Sequence, residues 1–141
     1  MERPIPFIWL ESGAAEAAAY YISLFPDSEI TESNPMVTTF RLNGTTFTAL
    51  NGGPHYKLNP AFSIQIPTDT QEETDRLWHA LVEGGEPLQC GWLVDRWGVS
   101  WQIVPKRLIQ LLLDPATAKR ATDAMMPMQN IDMATIEAAC A

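Results

Sequence analysis

Few residues of this 141-residue chain could do chemistry. It holds two histidines and two cysteines. His55 follows the loop Asn51-Gly52-Gly53-Pro54, and His79 falls in the middle of a helical stretch. A catalytic divalent ion takes several His or carboxylate ligands around an open position. Two imidazoles on different elements, with no matched carboxylate, make a poor metal signature. His79 reads as a helix surface residue. His55 reads either as a loop residue held by backbone bonds or as a proton carrier or contact at the mouth of a cleft, because imidazole titrates near neutrality. Cys90 has no His or Lys beside it to favour a thiolate and reads as a buried strand residue. Cys140 lies in the tail. No serine sits in a Gly-x-Ser-x-Gly elbow. Glu11 and Asp95 fall in turns, so no carboxylate pair shares a space for acid–base work. Asp95-Arg96 reads as a hairpin closure that pairs at the surface.

What remains is a set of neutral polar and aromatic side chains placed by strand alternation. Phe7 and Trp9 share one face of the first strand. Thr48 shares its face with Thr46 and Leu50. Ser63 and Gln65 stand together, as do Ser100 and Gln102, while Trp101 and Ile103 point the other way. With Asn51 and His55 in the following loop, these residues outline a cleft that is aromatic at one end and lined by neutral donors and acceptors. Small-molecule pockets have this make-up. A half-buried sheet whose polar groups meet water or one another has it too.

The elements that carry these residues follow from periodicity and turn signals. Ile5–Leu10 reads as a strand. Ala14–Phe25 reads as an alanine-rich helix with Ser12 as its cap and Ala17, Tyr20 and Leu24 on one face. Two further strands, Glu29–Asn34 and Val37–Leu42, lead to Asn43-Gly44, the strongest hairpin signal in the chain. Thr46–Leu50 returns. Ala61–Ile66 alternates and is closed by Pro67. Thr70–Glu83 is an amphipathic helix with Leu77, Trp78, Leu81 and Val82 as its apolar stripe, stopped by Gly84-Gly85. Gln89–Val94 and Val99–Val104 make a hairpin across Asp95-Arg96-Trp97-Gly98. Leu108–Leu113, Ala116–Met126 (capped by Asp114) and Ile131–Ala139 (capped by Asp132) form a helical tail whose methionines read as packing residues.

Composition narrows the function classes. The net charge is −8, with 46% hydrophobic and 18% charged residues. An acidic chain with scattered basic residues does not suit a phosphate backbone. No apolar run approaches the ~20 residues of a membrane span, and the N-terminus, with Glu2 and Glu11, does not read as a signal peptide. Two cysteines cannot build a disulfide framework. The expectation is a cytoplasmic protein with no nucleic-acid or membrane partner.

The order strand, helix, strand, strand, strand occurs twice, over about residues 5–53 and 61–105, followed by the tail at about 108–141. Four residues beyond the hairpin glycines Gly44 and Gly98 stand Thr48 and Gln102. The fold class is α+β: two βαβββ modules in one domain, with helices outside and a short C-terminal helical tail.

The runs ALNGGPHYKLN, AFSIQI and EGGEPLQCGWLVDRWGVSWQIVP, with the tail MMPMQNIDMATIEAA, resemble the PhnB-like branch of the glyoxalase/bleomycin resistance/dioxygenase, or vicinal oxygen chelate, superfamily. The branch also carries the label 3-demethylubiquinone-9 3-methyltransferase-like. A methyl-donor site of nucleotide type needs a Gly-rich turn between strand and helix, whereas Gly84-Gly85 follows a helix. The resemblance implies a vicinal oxygen chelate fold and, in metal-dependent members, a divalent ion held from the first and last strands of each module. Those positions fall here at Ile5 or Pro6, Thr48, Ala61 and Gln102, which are weak or impossible ligands. The expectation is therefore no metal and no cofactor. A small-molecule binding protein comes first, of unknown ligand, and a homodimer, since dimers are common among such proteins. A metal-dependent lyase or isomerase using His55 and Gln102 is the alternative, and a structural subunit with a filled cleft is the third.

Overall fold

A computed structural model describes residues 1–141. They divide into two compact units, Met1–Leu58 and Asn59–Ala141.

The first unit is a four-stranded sheet with one helix. Its elements are β1 (Phe7–Leu10), α1 (Ala14–Ile22), β2 (Glu29–Ser33), β3 (Val37–Leu42) and β4 (Thr45–Asn51). The sheet order is β1-β4-β3-β2, with β1 parallel to β4 and the other pairs antiparallel. Asn43 and Gly44 both take positive φ, 43° and 92°. That pair of angles matches the right-handed twist of the flanking strands, which is why Asn-Gly closes this hairpin. Alternation decides the faces. Ile8, Leu10, Phe40, Leu42, Phe47 and Ala49 are buried, as are Ala14, Ala17, Ala18 and Tyr21 of α1. The rings of Phe40 and Phe47 stack at 5.6 Å. Tyr21, not Tyr20, is the inward tyrosine, because the helix phase is set by the three small alanines that let it lie close to the sheet.

The helix cap also differs from expectation. Gly13, not Ser12, precedes the first turn and makes no side-chain cap bond. The first orphan N–H, on Ala14, is satisfied from β4 by Asn51 Oδ1 at 2.8 Å, a long-range substitute for a local cap.

The second unit repeats the plan. Its elements are β5 (Ile64–Thr68), α2 (Gln71–Val82), β6 (Glu86–Pro87), β7 (Trp92–Val94) and β8 (Ser100–Pro105), followed by α3 (Lys106–Leu113), α4 (Ala118–Met125) and α5 (Met133–Cys140). Its sheet order, β5-β8-β7-β6, is that of the first sheet. Thr70 caps α2, its side chain accepting from Glu73 N at 3.1 Å. Leu77, Trp78 and Leu81 of α2 are buried, as are Leu93, Trp101 and Ile103 of the sheet.

Most strand boundaries move by one to three residues, and two of the shifts have a clear cause. β5 begins at Ile64 rather than Ala61 and runs through Pro67, whose missing N–H costs nothing on an edge strand. The expected strand Gln89–Val94 is cut to Trp92–Val94, because Cys90 and Gly91 take positive φ (63° and 82°). Their N–H groups bond instead to the tail, Cys90 N to Met128 O at 2.8 Å and Gly91 N to Gln129 O at 2.7 Å. Cys90 is thus a half-buried turn residue rather than a buried strand residue. The two-residue strand β6, too short for any sequence pattern, completes the sheet.

The tail helix α4 starts two residues later than expected. Asp114 Oδ1 accepts from Ala116 N, but the next residues form a turn before Ala118. Val104, Leu108, Leu111, Ala121, Ile131 and Ile136 make the tail's own core. Gln71 of α2 clamps it: its Nε2 donates to Ile131 O at 2.7 Å and its Oε1 accepts from Met133 N at 2.9 Å. No helix is long and apolar enough to cross a membrane.

Candidate functional site

In the first unit the residues Phe7, Trp9, Thr48 and Leu50 share the face turned away from α1. Register sets Phe7 beside Thr48 and Trp9 beside Leu50, with Thr39 on the other side of Thr48. Thr48 and Thr39 join their hydroxyls at 3.1 Å, so each uses the other as a partner. Phe7 is 60% exposed. Trp9 donates its indole N–H to Gly53 O at 3.0 Å, and its ring lies against Gly52 so closely that a Cβ there would enter the indole. Tyr56 meets Trp9 edge-on at 4.9 Å, and His55 meets Tyr56 at 4.5 Å. His55 is therefore an exposed member of an aromatic cluster. Asn51 points to the helix side. Its Oδ1 caps α1 and its Nδ2 donates to Pro35 O at 3.1 Å, so both ends of the amide are occupied by the fold.

In the second unit the polar residues converge. Gln65 and Gln102 are register partners on β5 and β8, and Trp92 of β7 flanks Gln102 on its other side. Gln102 Nε2 donates to Ser63 Oγ at 2.7 Å, and Gln65 Nε2 approaches Gln102 Oε1 at 3.4 Å. The chain Ser63–Gln102–Gln65 leaves the Gln65 carbonyl and a second Gln102 N–H available to a ligand. Ser100, two residues before Gln102 on the same face, is 3% exposed and its hydroxyl has no hydrogen-bond partner.

Beside this chain lies a pocket of about 230 Å³. The sheet contributes Gln65, Trp92, Gln102 and Val104. Cys90 closes one side, and Ile109, Leu112 and Leu113 of α3 with Met125 of α4 form the opposite wall. Burial pushes the Cys90 thiol up, so it stays protonated at neutral pH. Its Sγ lies 3.7 Å from Met126 Sδ.

Trp101 points away from the cleft, as strand alternation requires, and is fully buried on the α2 side, where its indole N–H donates to Asp95 Oδ2 at 2.9 Å. Trp92 lines the pocket instead. One sequence expectation needs correction: Asp95 is 4% exposed and does not pair at the surface. Its Oδ1 accepts from Trp97 N at 2.9 Å and Val99 N at 3.0 Å, so one carboxylate organises the whole hairpin. The tail wall carries its own signal in the sequence. Leu108 and Leu111 are the buried stripe of α3, while Ile109, Leu112 and Leu113 make a second apolar stripe at helical spacing.

The donor set does not fit a divalent metal of the superfamily type. Thr48 is bonded to Thr39 and Gln102 to Ser63. Pro6 and Ala61 offer no side-chain donor, and register places Phe7 and Gln65, not those two, beside Thr48 and Gln102. No three His, Cys, Asp or Glu side chains converge.

A family profile described as 3-demethylubiquinone-9 3-methyltransferase matches residues 2–104, so the tail beyond β8 lies outside the match. Among solved structures, a protein from Bacillus cereus, provisionally described as a 3-demethylubiquinone-9 3-methyltransferase, PhnB protein, is 32% identical. The alignment covers 72% of this chain and 97% of that one, with a TM-score of 0.64. A protein from Pseudomonas aeruginosa is 21% identical over 72% of this chain and 95% of its own, with a TM-score of 0.60. A glyoxalase/bleomycin resistance protein/dioxygenase family enzyme from Burkholderia phytofirmans shares the fold at 13% identity, covering 67% of this chain and 91% of its own, with a TM-score of 0.53. No curated protein matches the chain. The two four-stranded modules have the fold of a glyoxalase/bleomycin resistance protein, and the profile match over residues 2–104 with the 32% identity to the B. cereus protein shows the family: the chain belongs to the PhnB-like, 3-demethylubiquinone-9 3-methyltransferase family.

Proposed function

We propose that this protein binds a small molecule on the polar face of the second sheet, without the divalent metal used by other members of the superfamily. The observation that carries the reading is the bonded chain Ser63–Gln102–Gln65 at the edge of an apolar pocket. Apolar walls with a few placed polar groups are what a small ligand needs. Neutral amides and hydroxyls orient a ligand by hydrogen bonds but are poor ligands for a catalytic divalent ion. Methyl transfer is not part of the proposal, because Gly84-Gly85 follows α2 and leads to β6 rather than opening a helix. The protein acts as a cytoplasmic homodimer in this reading. Ile5 and Phe7 of the first unit are large exposed apolar residues that a second copy would cover, and light scattering gives the mass directly.

The test is a fragment screen followed by tryptophan fluorescence, run with EDTA and then with added Ni²⁺, Zn²⁺ or Mn²⁺. A ligand that binds equally well in EDTA, and at least ~10-fold more weakly to Gln102→Leu, about 1.4 kcal/mol, supports the proposal. Binding that appears only with a metal ion, or a Gln102→Leu chain that binds every fragment as well as the parent, overturns it.

A further inference from the structure

The helical tail does more than extend the second unit. Ile109, Leu112 and Leu113 of α3 and Met125 of α4 form one wall of the pocket, and the polar face of β5 and β8 forms the other. This wall is fixed in place. Gln71 holds Ile131 and Met133, Cys90 and Gly91 hold Met128 and Gln129, and Arg107 of α3 pairs with Glu137 of α5 at 2.8 Å. It lies beyond the residues matched by the family profile, which end at 104. The B. cereus protein is covered almost completely by 72% of this chain.

Three features of this half-open pocket set the ligand's chemistry. The lining carries no Asp, Glu, Lys, Arg or His, so nothing there compensates a buried charge, which would be costly. The polar groups sit on one side only, at Gln65 and Gln102. The volume of about 230 Å³ lies between the ~150 Å³ of an engineered apolar cavity that takes benzene and the ~300 Å³ at which drug-sized pockets begin.

We infer that the C-terminal helices are the specificity wall of this site, and that they select an uncharged, mainly apolar ligand of two-ring size that presents one hydroxyl or carbonyl to Gln65 and Gln102. The inference rests on the small-molecule reading above and deepens it. The two can fail separately.

The probe pair is 2-naphthol and 2-naphthoate, of similar shape, the first neutral and the second anionic at neutral pH. Binding to the full-length ¹⁵N-labelled chain is followed at the side-chain amides of Gln65 and Gln102 and the indole N–H of Trp92. The expected result is 2-naphthol binding with a dissociation constant below ~1 mM that shifts all three signals. 2-Naphthoate should bind at least ~10-fold more weakly. Leu112→Trp, which fills the pocket from the tail side, should abolish the 2-naphthol shifts. Leu113 is 78% exposed at the rim, so Leu113→Glu keeps the test open should Leu112→Trp not fold. It should weaken 2-naphthol severalfold by placing a charge beside an apolar ligand. Equal affinity for the two probes overturns the inference. If 2-naphthol shifts Gln102 equally in both variants and the parent, the tail wall is overturned while the sheet site stands. If neither probe moves Gln102, the two-ring inference is overturned; the small-molecule reading stands or falls with the fragment screen, in which a fragment that shifts Gln102 keeps it.

Discussion

Thr48 in the first sheet and Gln102 in the second occupy the same place in the same topology. Each lies on the last strand of its module, four residues beyond a positive-φ glycine, between a first-strand partner and a third-strand partner. In the first unit those partners are Phe7 and Thr39; in the second they are Gln65 and Trp92. The backbone treats the two triplets alike, yet the side chains do opposite things. Thr48 and Thr39 satisfy each other and leave an exposed phenyl ring beside them. Gln102 and Gln65 are long enough to bond each other and still present unused groups to the space beneath the tail. One fold thus carries a self-satisfied face and a receptive face, and the difference lies in side-chain reach rather than in topology.

The two hairpins that deliver these residues differ in the same way, and mutation there should give the largest effect. Asn43-Gly44 needs only its positive φ angles. The β7–β8 hairpin is organised by the buried carboxylate of Asp95, which serves two backbone N–H groups and the Trp101 indole. Asp95→Ala leaves buried donors without their acceptor and should destabilise the protein by about 3 kcal/mol, measured by urea denaturation. Amide exchange should accelerate within residues 59–141. Equal acceleration across residues 1–58 would show that the carboxylate is not specific to the second unit. Asp95→Asn should recover part of the loss, since it keeps one oxygen for the turn.

On the first face the corresponding weak point is Gly52. A methyl group there enters the Trp9 indole. Gly52→Ala should cost about 2 kcal/mol, as overpacking does, and should displace the Trp9 indole N–H resonance by breaking its bond to Gly53 O. An unmoved Trp9 signal would mean that the ring is not held as described. A smaller effect is expected from Asn51→Ala, which removes the cap of α1 reached from β4. About 1 kcal/mol is usual for a lost cap. Ligand binding in the second unit should be unchanged, and weakened binding would return Asn51 to the site.

Much of this arrangement was legible in the sequence. The repeated element order apart from β6, the Asn43-Gly44 hairpin, the parity that groups Phe7 with Trp9 and Ser100 with Gln102, and the equivalence of Thr48 and Gln102 all follow from period-two alternation and turn chemistry. The rest depended on contacts between distant residues. Asn51 looked like a free loop amide because its helix partner lies 37 residues away. Asp95 looked like a surface residue because only the folded hairpin brings Trp101 to it. Gln89 to Gly91 looked like strand because alternation cannot see the backbone bonds offered by Met128 and Gln129. Those bonds turn the chain at Cys90, and that turn frees Trp92 to flank Gln102.

The same turn supplies the smallest and most local contrast. Cys90 sits at the pocket edge with its thiol desolvated, which raises its pKa above the ordinary 9.0. A raised acid pKa means that the folded chain holds the proton more tightly than the unfolded chain. The stability linked to this group is therefore intact below pH 9.0 and lost as pH climbs from there through the folded value. Because the thiolate is the nucleophile, Cys90 should react with iodoacetamide severalfold more slowly than a free cysteine at mildly alkaline pH. Its rate profile should be displaced to higher pH. Peptide mapping by mass spectrometry separates its labelling from that of Cys140. Bound 2-naphthol should slow the labelling of Cys90 further, because ligand and thiol share one pocket. Denaturant should abolish both the displacement and the protection. A Cys90 that reacts at the free-thiol rate in the folded protein would show that the tail does not close over this side of the sheet, and the contrast between the open first face and the covered second face would lose its physical basis.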